Sequence, residues 1–475
     1  MRSMRRIWVL ALAPAAVSAQ SFAGLAPQVR QYVSVSDSIV ALTNVTLIDG
    51  TGSAPRVAQT IVIRDGRIAQ VGSAASVRPP AGARLMDLAG HTVIPGLVGM
   101  HDHLFYTAAG GRAAQMSYTG PRLYLASGVT TIRTTGGRSP YAEINTRDAI
   151  NAGRVPGPRV HLTAPYITGG PEGTAGSMAQ VNSPEAARRF VAYWAQEGAT
   201  WIKAYTDIRA EDLKAAIDEA HKRGIKVTGH LCSVSFREAV ALGIDNLEHG
   251  SLTNTDFDPQ KRPDHCPPNS MVRSGMASAS SDTARAVIRD MVAKRVGMTS
   301  TLAVFEPFFP KRDVSDARTL EAMSPEVRDA YLRMRTHIDT ATTWPYTSQM
   351  LRNAMAFEKA FAEAGGLLAA GVDPTGFGGA LPGYGDQRNY ELLTEAGFSP
   401  AQTVQIMSAN GARILGVYDS LGSVEPGKIA DVVVLRGDLA SNPSVIRNVV
   451  TVFKDGVGYD SAKLIAAVKG RVGID

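Results

Sequence analysis

The stretch Val93-Ile94-Pro95-Gly96-Leu97-Val98-Gly99-Met100-His101-Asp102-His103-Leu104 decides how the rest of the chain is read. It opens on a short apolar, β-branched run and closes on two histidines one residue apart. On an extended strand, positions i and i+2 point to the same side, so two imidazoles at one strand end can share a metal ion. Pro95-Gly96 breaks the strand pattern just before them, which suits a strand bent into place at a barrel mouth. A lone His-x-His is more often structural or exposed than metal-binding, so its meaning depends on its surroundings.

Working outward toward the C-terminus, apolar or β-branched runs recur at 93–98, 129–134, 159–164, 199–205, 225–229, 245–248, 296–304 and 367–372. Helical stretches lie between most of them. One begins at Pro184 after Ser183, a good N-cap; others end at Gly224 and Gly243, good C-caps. Eight strands with intervening helices are the pattern of an α/β (β/α)8 TIM-like barrel. A doubly wound open sheet is the runner-up, but no glycine-rich phosphate fingerprint follows any strand. Two connections, 250–281 and 305–344, are too long for plain turns. Each follows a barrel strand and should sit over the mouth, where barrel active sites form.

Upstream, Ile39 to Ile48 reads as a strand and Thr60 to Val71 as a hairpin around Asp65-Gly66. Downstream, Gly422 to Leu435 and Asn448 to Gly456 read as turn and strand. Neither set is large enough to stand alone, so 38–92 and 416–475 are expected to form one composite β-sandwich domain beside a barrel of 93–415. Residues 1–19 read as a signal peptide: Arg2, Arg5 and Arg6, a short apolar core from Ile7 to Val17, and Val17-Ser18-Ala19 before Gln20. The mature protein is therefore expected to be periplasmic or secreted, with no membrane span.

The net charge of +6 includes the three leader arginines, and no other basic run occurs, so no nucleic-acid footprint is present. The two cysteines, Cys232 and Cys266, are too few for a disulfide scaffold or a thiolate metal site. They could pair in an oxidising compartment or remain separate buried thiols. The sequence leaves a homo-oligomer open.

The polar residues on the strands carry the chemistry. His101 and His103 follow the first strand, Lys203 lies inside the fourth, His230 ends the fifth, His249 ends the sixth and Asp373 ends the eighth. The carboxyl ends of barrel strands converge on one face, so all six could point into one cup. Four imidazoles and a carboxylate are the ligands that Zn²⁺ takes. Tyr205, two residues past Lys203, would face the same side as a substrate contact, or simply pack in the barrel.

This ordered set, with Glu425-Pro-Gly-Lys-Ile-Ala-Asp-Val-Val-Val434, resembles the metal-dependent amidohydrolase superfamily over nearly the whole mature chain. Within it, the imidazolonepropionase-like, Xaa-Pro dipeptidase and ochratoxinase branch is most similar. The resemblance implies two divalent metal ions, most suitably Zn²⁺. His101, His103 and Asp373 would bind the more buried ion, His230 and His249 the second, and a carboxylated Lys203 would bridge both. It implies hydrolysis of an amide bond in a short peptide or N-acyl amino acid by a metal-bridging hydroxide, with Asp373 as general acid/base.

Two departures stand out. Gly99 occupies a position where the family often has Asp, and Thr168-Gly169-Gly170 is followed by Pro171 where related dipeptidases often have His. Arg388 and the 376–385 loop are weaker substrate-contact candidates, and the aromatics of 305–344 hint at a hydrophobic wall. Cys232 and Cys266 both fall at the mouth, where a disulfide would pin the 250–281 loop. The alternatives are a mononuclear deaminase or cyclic-amide hydrolase of the same superfamily, against which Lys203 argues, a lactone hydrolase, and a non-catalytic binding protein, which would need a lost ligand.

Overall fold

The computed structural model describes residues 21–170, 178–312 and 316–474. The expected leader at 1–19 and Pro171 lie outside the described residues. Eight short strands run parallel in chain order: β1 (Leu97–Asp102), β2 (Val129–Thr134), β3 (Thr163–Thr168), β4 (Trp201–Ala204), β5 (Lys226–Gly229), β6 (Asn246–Glu248), β7 (Gly297–Ser300) and β8 (Leu368–Ala370). β1 pairs with β2, and β3 through β8 pair consecutively, all parallel. Every residue of β2 is buried, as a strand covered on both faces requires.

Hydrogen bonds bridge the two breaks in this pairing. Thr163 N donates to Thr134 Oγ1 at 3.0 Å. Beyond β8, Asp373 N donates to His101 O at 2.7 Å and Val372 N to Asp102 Oδ1 at 3.1 Å. Helices lie between the strands and start where the side chains can cap them. Ser183 accepts from Ala186 N at 3.2 Å, and Ser235 with Glu238 forms a reciprocal capping box.

A second, mixed sheet of nine strands joins the two ends of the chain. The hairpin Arg56–Arg64 and Arg67–Ser73 turns at Asp65-Gly66 as the sequence suggests. At the far side, Val33–Val35 pairs with Val457–Asp460. Apolar residues from both ends, among them Leu42, Ile61, Ile63, Val432, Val434 and Phe453, form its core.

The run 93–98, read as one strand, is two. His91–Pro95 pairs antiparallel with Val432–Arg436 in the mixed sheet, and only Leu97 onward joins the parallel series. The switch falls at Gly96, whose N donates to Asp431 O and where a Cβ would strike Thr130. The run 159–164 is likewise split, with Arg159–His161 pairing to β2 before β3 begins. The 305–344 connection is not an open loop: helices span Ala317–Ala322 and Pro325–Thr340. Among the described residues, no helix is long and apolar enough to cross a membrane.

Candidate metal centre

The ends of the parallel strands bring the six candidate side chains together. His101 and His103 leave the end of β1 toward Asp373: His101 Nε2 lies 3.5 Å from Asp373 Oδ2, and His103 Nε2 lies 3.3 Å from Asp373 Oδ1. One ligand atom from each of these three buried residues falls within 4.8 Å of the others. The His249 ring packs 4.5 Å from His101 and 4.4 Å from His230, centroid to centroid. Lys203 lies mid-strand in register with Tyr166 of β3 and Thr228 of β5. A cavity of about 90 Å³ is lined by His101, His103, Lys203, His230 and Asp373 with Tyr205, Tyr166 and Arg138.

Each of three imidazoles is held through its Nδ1. His101 Nδ1 is 2.7 Å from Glu248 Oε2, His103 Nδ1 is 3.0 Å from Gly136 O, and His249 Nδ1 is 2.7 Å from Thr301 Oγ1. Such contacts fix the ring and its tautomer, and in His101 and His103 they leave Nε2 facing Asp373 as a ligand, whereas His249 also has Nδ1 at 3.9 Å from Asp373 Oδ2. His249 Nε2 and Lys203 Nζ are buried with no hydrogen-bond partner. Buried polar atoms are nearly always paired, so an orphaned Lys203 amine at the cavity and an orphaned His249 nitrogen on a ring beside His101 and His230 fit a site that takes a ligand. These donors fit divalent metal ions: imidazole nitrogens, one carboxylate and an amine that can become an oxygen ligand.

The electrostatics favour the same state. Burial, followed by the Lys203 charge, pushes His230 down to about 3 and His101 well below its ordinary value, while burial and the neighbouring histidines do the same to His249. That direction favours the neutral ring, the form in which an imidazole ligates a metal. Burial also pushes Lys203, only 1 % exposed, down to about 8. Burial works to raise the Asp373 carboxyl, but His101 and His103 outweigh it and hold it well below its ordinary value. His249 and Asp373 both adopt positive φ, 71° and 49°. Left-handed backbone at non-glycine residues costs roughly 1 kcal/mol each and clusters where function demands a side-chain direction.

Sequence reading missed the layer beneath. Glu248 accepts from Arg133 Nη2 at 2.6 Å and from Asn246 Nδ2 at 3.0 Å while holding His101. Burial works to raise its carboxyl, but Arg133, Lys203 and the Thr228 hydroxyl keep it below its ordinary value. Arg133 in turn stacks on Trp201 at 4.6 Å. The Tyr166 hydroxyl, 3.4 Å from His103 Nε2, was also missed, although its place near the end of β3 was a usable signal.

Tyr205 faces the cavity, its ring 4.8 Å from His230. Arg388 does not: it pairs with Glu306 at 2.7 Å and Glu391 at 2.6 Å. Gly99 is required where it stands, since a Cβ there would strike the Asp102 carboxylate. An aromatic wall does run outward from the site. Phe305 lies 5.4 Å from the His249 ring, Phe308 follows at 5.7 Å, and Phe377 stacks on Phe308 at 4.3 Å. Cys232 and Cys266 are joined in a disulfide, with Cα atoms 4.9 Å apart, tying the segment after His230 to the 250–281 connection.

Comparison with known proteins places this geometry among relatives. The model of the amidohydrolase family matches residues 92–261 and 351–458. The enamidase of Eubacterium barkeri is 27% identical over 196 residues, covering 40% of this chain and 48% of its own. The chain spans about half the length of the curated relatives it matches. A crystal structure of a candidate prolidase from Bifidobacterium longum superposes with a TM-score of 0.63 at 26% identity, over 91% of this chain and 98% of that one. The ochratoxinase of A. niger superposes with a TM-score of 0.63 at 18% identity, over 89% and 96% of the two chains, a likeness of fold alone.

Proposed function

The chain belongs to the amidohydrolase family, and from that membership we propose that it is an exported, binuclear metal-dependent hydrolase of amide bonds in short peptides or N-acyl amino acids. The observation that carries the reading is the convergence of three imidazoles, Asp373 and an unpartnered Lys203 amine on one cavity, with the His249 ring packed against His101 and His230. The paired strands, with the hydrogen bonds from beyond β8 back to β1, support a closed (β/α)8 barrel, and the mixed sheet supports a composite β-sandwich domain. The leader-like residues 1–19 and the Cys232–Cys266 disulfide support export to an oxidising compartment, periplasmic or extracellular.

His101 and His103 with Asp373 would hold one cation and His230 with His249 the other. With a pKa near 8, an appreciable share of Lys203 is the free amine at neutral pH. That amine can attack CO2 and lose a proton, and the resulting carbamate would offer anionic oxygen ligands in place of a cation. Two such cations, most suitably Zn²⁺, would supply a water of lowered pKa and polarise the scissile carbonyl. Asp373, the one carboxylate lining the cavity among the described residues, takes the attacking water's proton and passes it to the leaving amine. Tyr205 at the rim orients the substrate.

The test is a mass-spectrometric screen of the zinc-reconstituted protein with dipeptides, N-acyl amino acids, cyclic amides and lactones, beside an Asp373→Asn control. Turnover of the linear amides, lost in the control, is the expected result. Turnover confined to rings or lactones would move the protein to another chemistry, and silence would favour a binding role.

A further inference from the structure

Arg138 is a charged cavity-lining residue that the hydrolytic mechanism leaves without a task. It follows β2 across Gly136-Gly137, a turn that only glycine can make here. Gly136 has φ +101°, and a Cβ on it would meet the Tyr166 ring at 2.7 Å; a Cβ on Gly137 would meet Glu143 Oε2 at 2.9 Å. The backbone thus passes between the Tyr166 ring and Glu143 and brings Arg138 to the rim. Its guanidinium carbon lies 5.2 Å over the Phe105 ring, which itself stacks 4.4 Å from the His103 ring. The cation is therefore held one phenyl ring away from a metal-facing imidazole.

No anion meets it. Arg138 makes no ion pair with any described residue, and its Nε is buried without a hydrogen-bond partner. The contrast with the other arginines near the barrel mouth is direct: Arg312, Arg318 and Arg388 are each paired to carboxylates. A guanidinium stacked on a ring keeps its in-plane N–H edges free, and those edges match a carboxylate in a bidentate fork. Asp373 cannot serve, because it is committed to His101 and His103.

We infer that Arg138 is a specificity residue that receives the α-carboxylate of the leaving amino acid, so that the substrates are amides whose amine half ends in a free carboxylate. This rests on the hydrolytic reading above and narrows it: C-terminally blocked peptides and cyclic or lactone substrates lack the group that Arg138 pairs. Phe105 fixes the height of the guanidinium, and Tyr205 stands beside the same rim.

The experiment compares the zinc-loaded wild type with Arg138→Gln and Arg138→Lys on a panel of N-acetyl amino acids offered both as free acids and as carboxamides. A bidentate, charge-assisted pair corresponds to about 10- to 100-fold in kcat/KM. The wild type is expected to favour the free acids by that factor, mainly through KM. Arg138→Gln should lose the preference while keeping its zinc content and its rate on carboxamides within about threefold. Arg138→Lys, with the charge but not the fork, should fall between them. Equal losses on acids and carboxamides, or an undiminished preference for acids in Arg138→Gln, would overturn the inference.

If neither form is cleaved, the hydrolytic reading fails and calorimetry decides the Arg138 assignment separately. Free acids binding the wild type at least tenfold tighter than their carboxamides, with the difference lost in Arg138→Gln, would uphold it. No such difference would end it.

Discussion

Replacing Cys232 and Cys266 together by serine removes the bridge between the segment after His230 and the connection after His249. The two residues are 34 apart in the chain. In the chain-entropy account, opening a loop of that length in the denatured ensemble lowers the free energy of unfolding by about 4 kcal/mol. The native state should lose little more. Cys232 is buried with its Sγ 3.6 Å from Ser270 Oγ, so a serine at 232 faces a hydroxyl rather than an apolar wall. The loss therefore belongs to the unfolded chain, and the folded site should keep its metal content and turnover at 25 °C. Pulse proteolysis across a urea series measures the folded fraction without requiring refolding of the whole chain. Wild type with its disulfide reduced should track the double variant. Two titratable thiols in the unreduced native protein, or a double variant within about 1 kcal/mol of wild type, would refute the reasoning.

Lys203→Ala should lower bound zinc and cut activity by at least about 10³-fold, in the range seen when a group essential to the chemistry is removed; metal analysis and added short carboxylic acids, which should restore part of the rate, check this. Glu248→Gln keeps the shape but removes the charge that faces Arg133 and His101, so zinc affinity should fall about 10- to 100-fold in a chelator competition. Glu358 is buried, and burial pushes its carboxyl up to about 8, with the Ser300 hydrogen bond opposing. Its neutral form is the stabilising one. That contribution is whole below the ordinary carboxyl pKa near 4.5 and is lost as pH rises through about 8, at up to about 1.4 kcal/mol per pH unit. Glu358→Gln should flatten the decline in urea midpoint between pH 5 and pH 8, and an unchanged slope would contradict it.

The six converging side chains were legible because strand ends in a β/α repeat must face one way, whatever the loops do. His101, His103, His230 and His249 could be placed from the chain order of short apolar runs alone. The mixed sheet's claim on Val93–Pro95 was not legible. A β-branched run looks the same in either sheet, and its partner Val432–Arg436 lies more than three hundred residues away. The helices of 317–340 were hidden by their many charges, which mask the apolar face carrying Val327, Tyr331 and Ile338. Arg133, Glu248 and Arg138 were missed for another reason. Each is an ordinary charged residue in sequence, and only the packing shows which charge meets which, or meets none.

The mixed sheet also sets a timetable. Val33–Val35 lies against Val457–Asp460, so one of the first strands to be made waits for one of the last. At about 5–20 residues per second of synthesis, that wait is roughly 20–90 s. Through that interval the parallel series can mature while Val33–Val35 stays unpaired, and His91–Pro95 likewise waits for Val432–Arg436. A stop just before Val457 would thus leave a nascent chain with its chemistry in place and its opening strand still looking for a neighbour, open to capture by another chain.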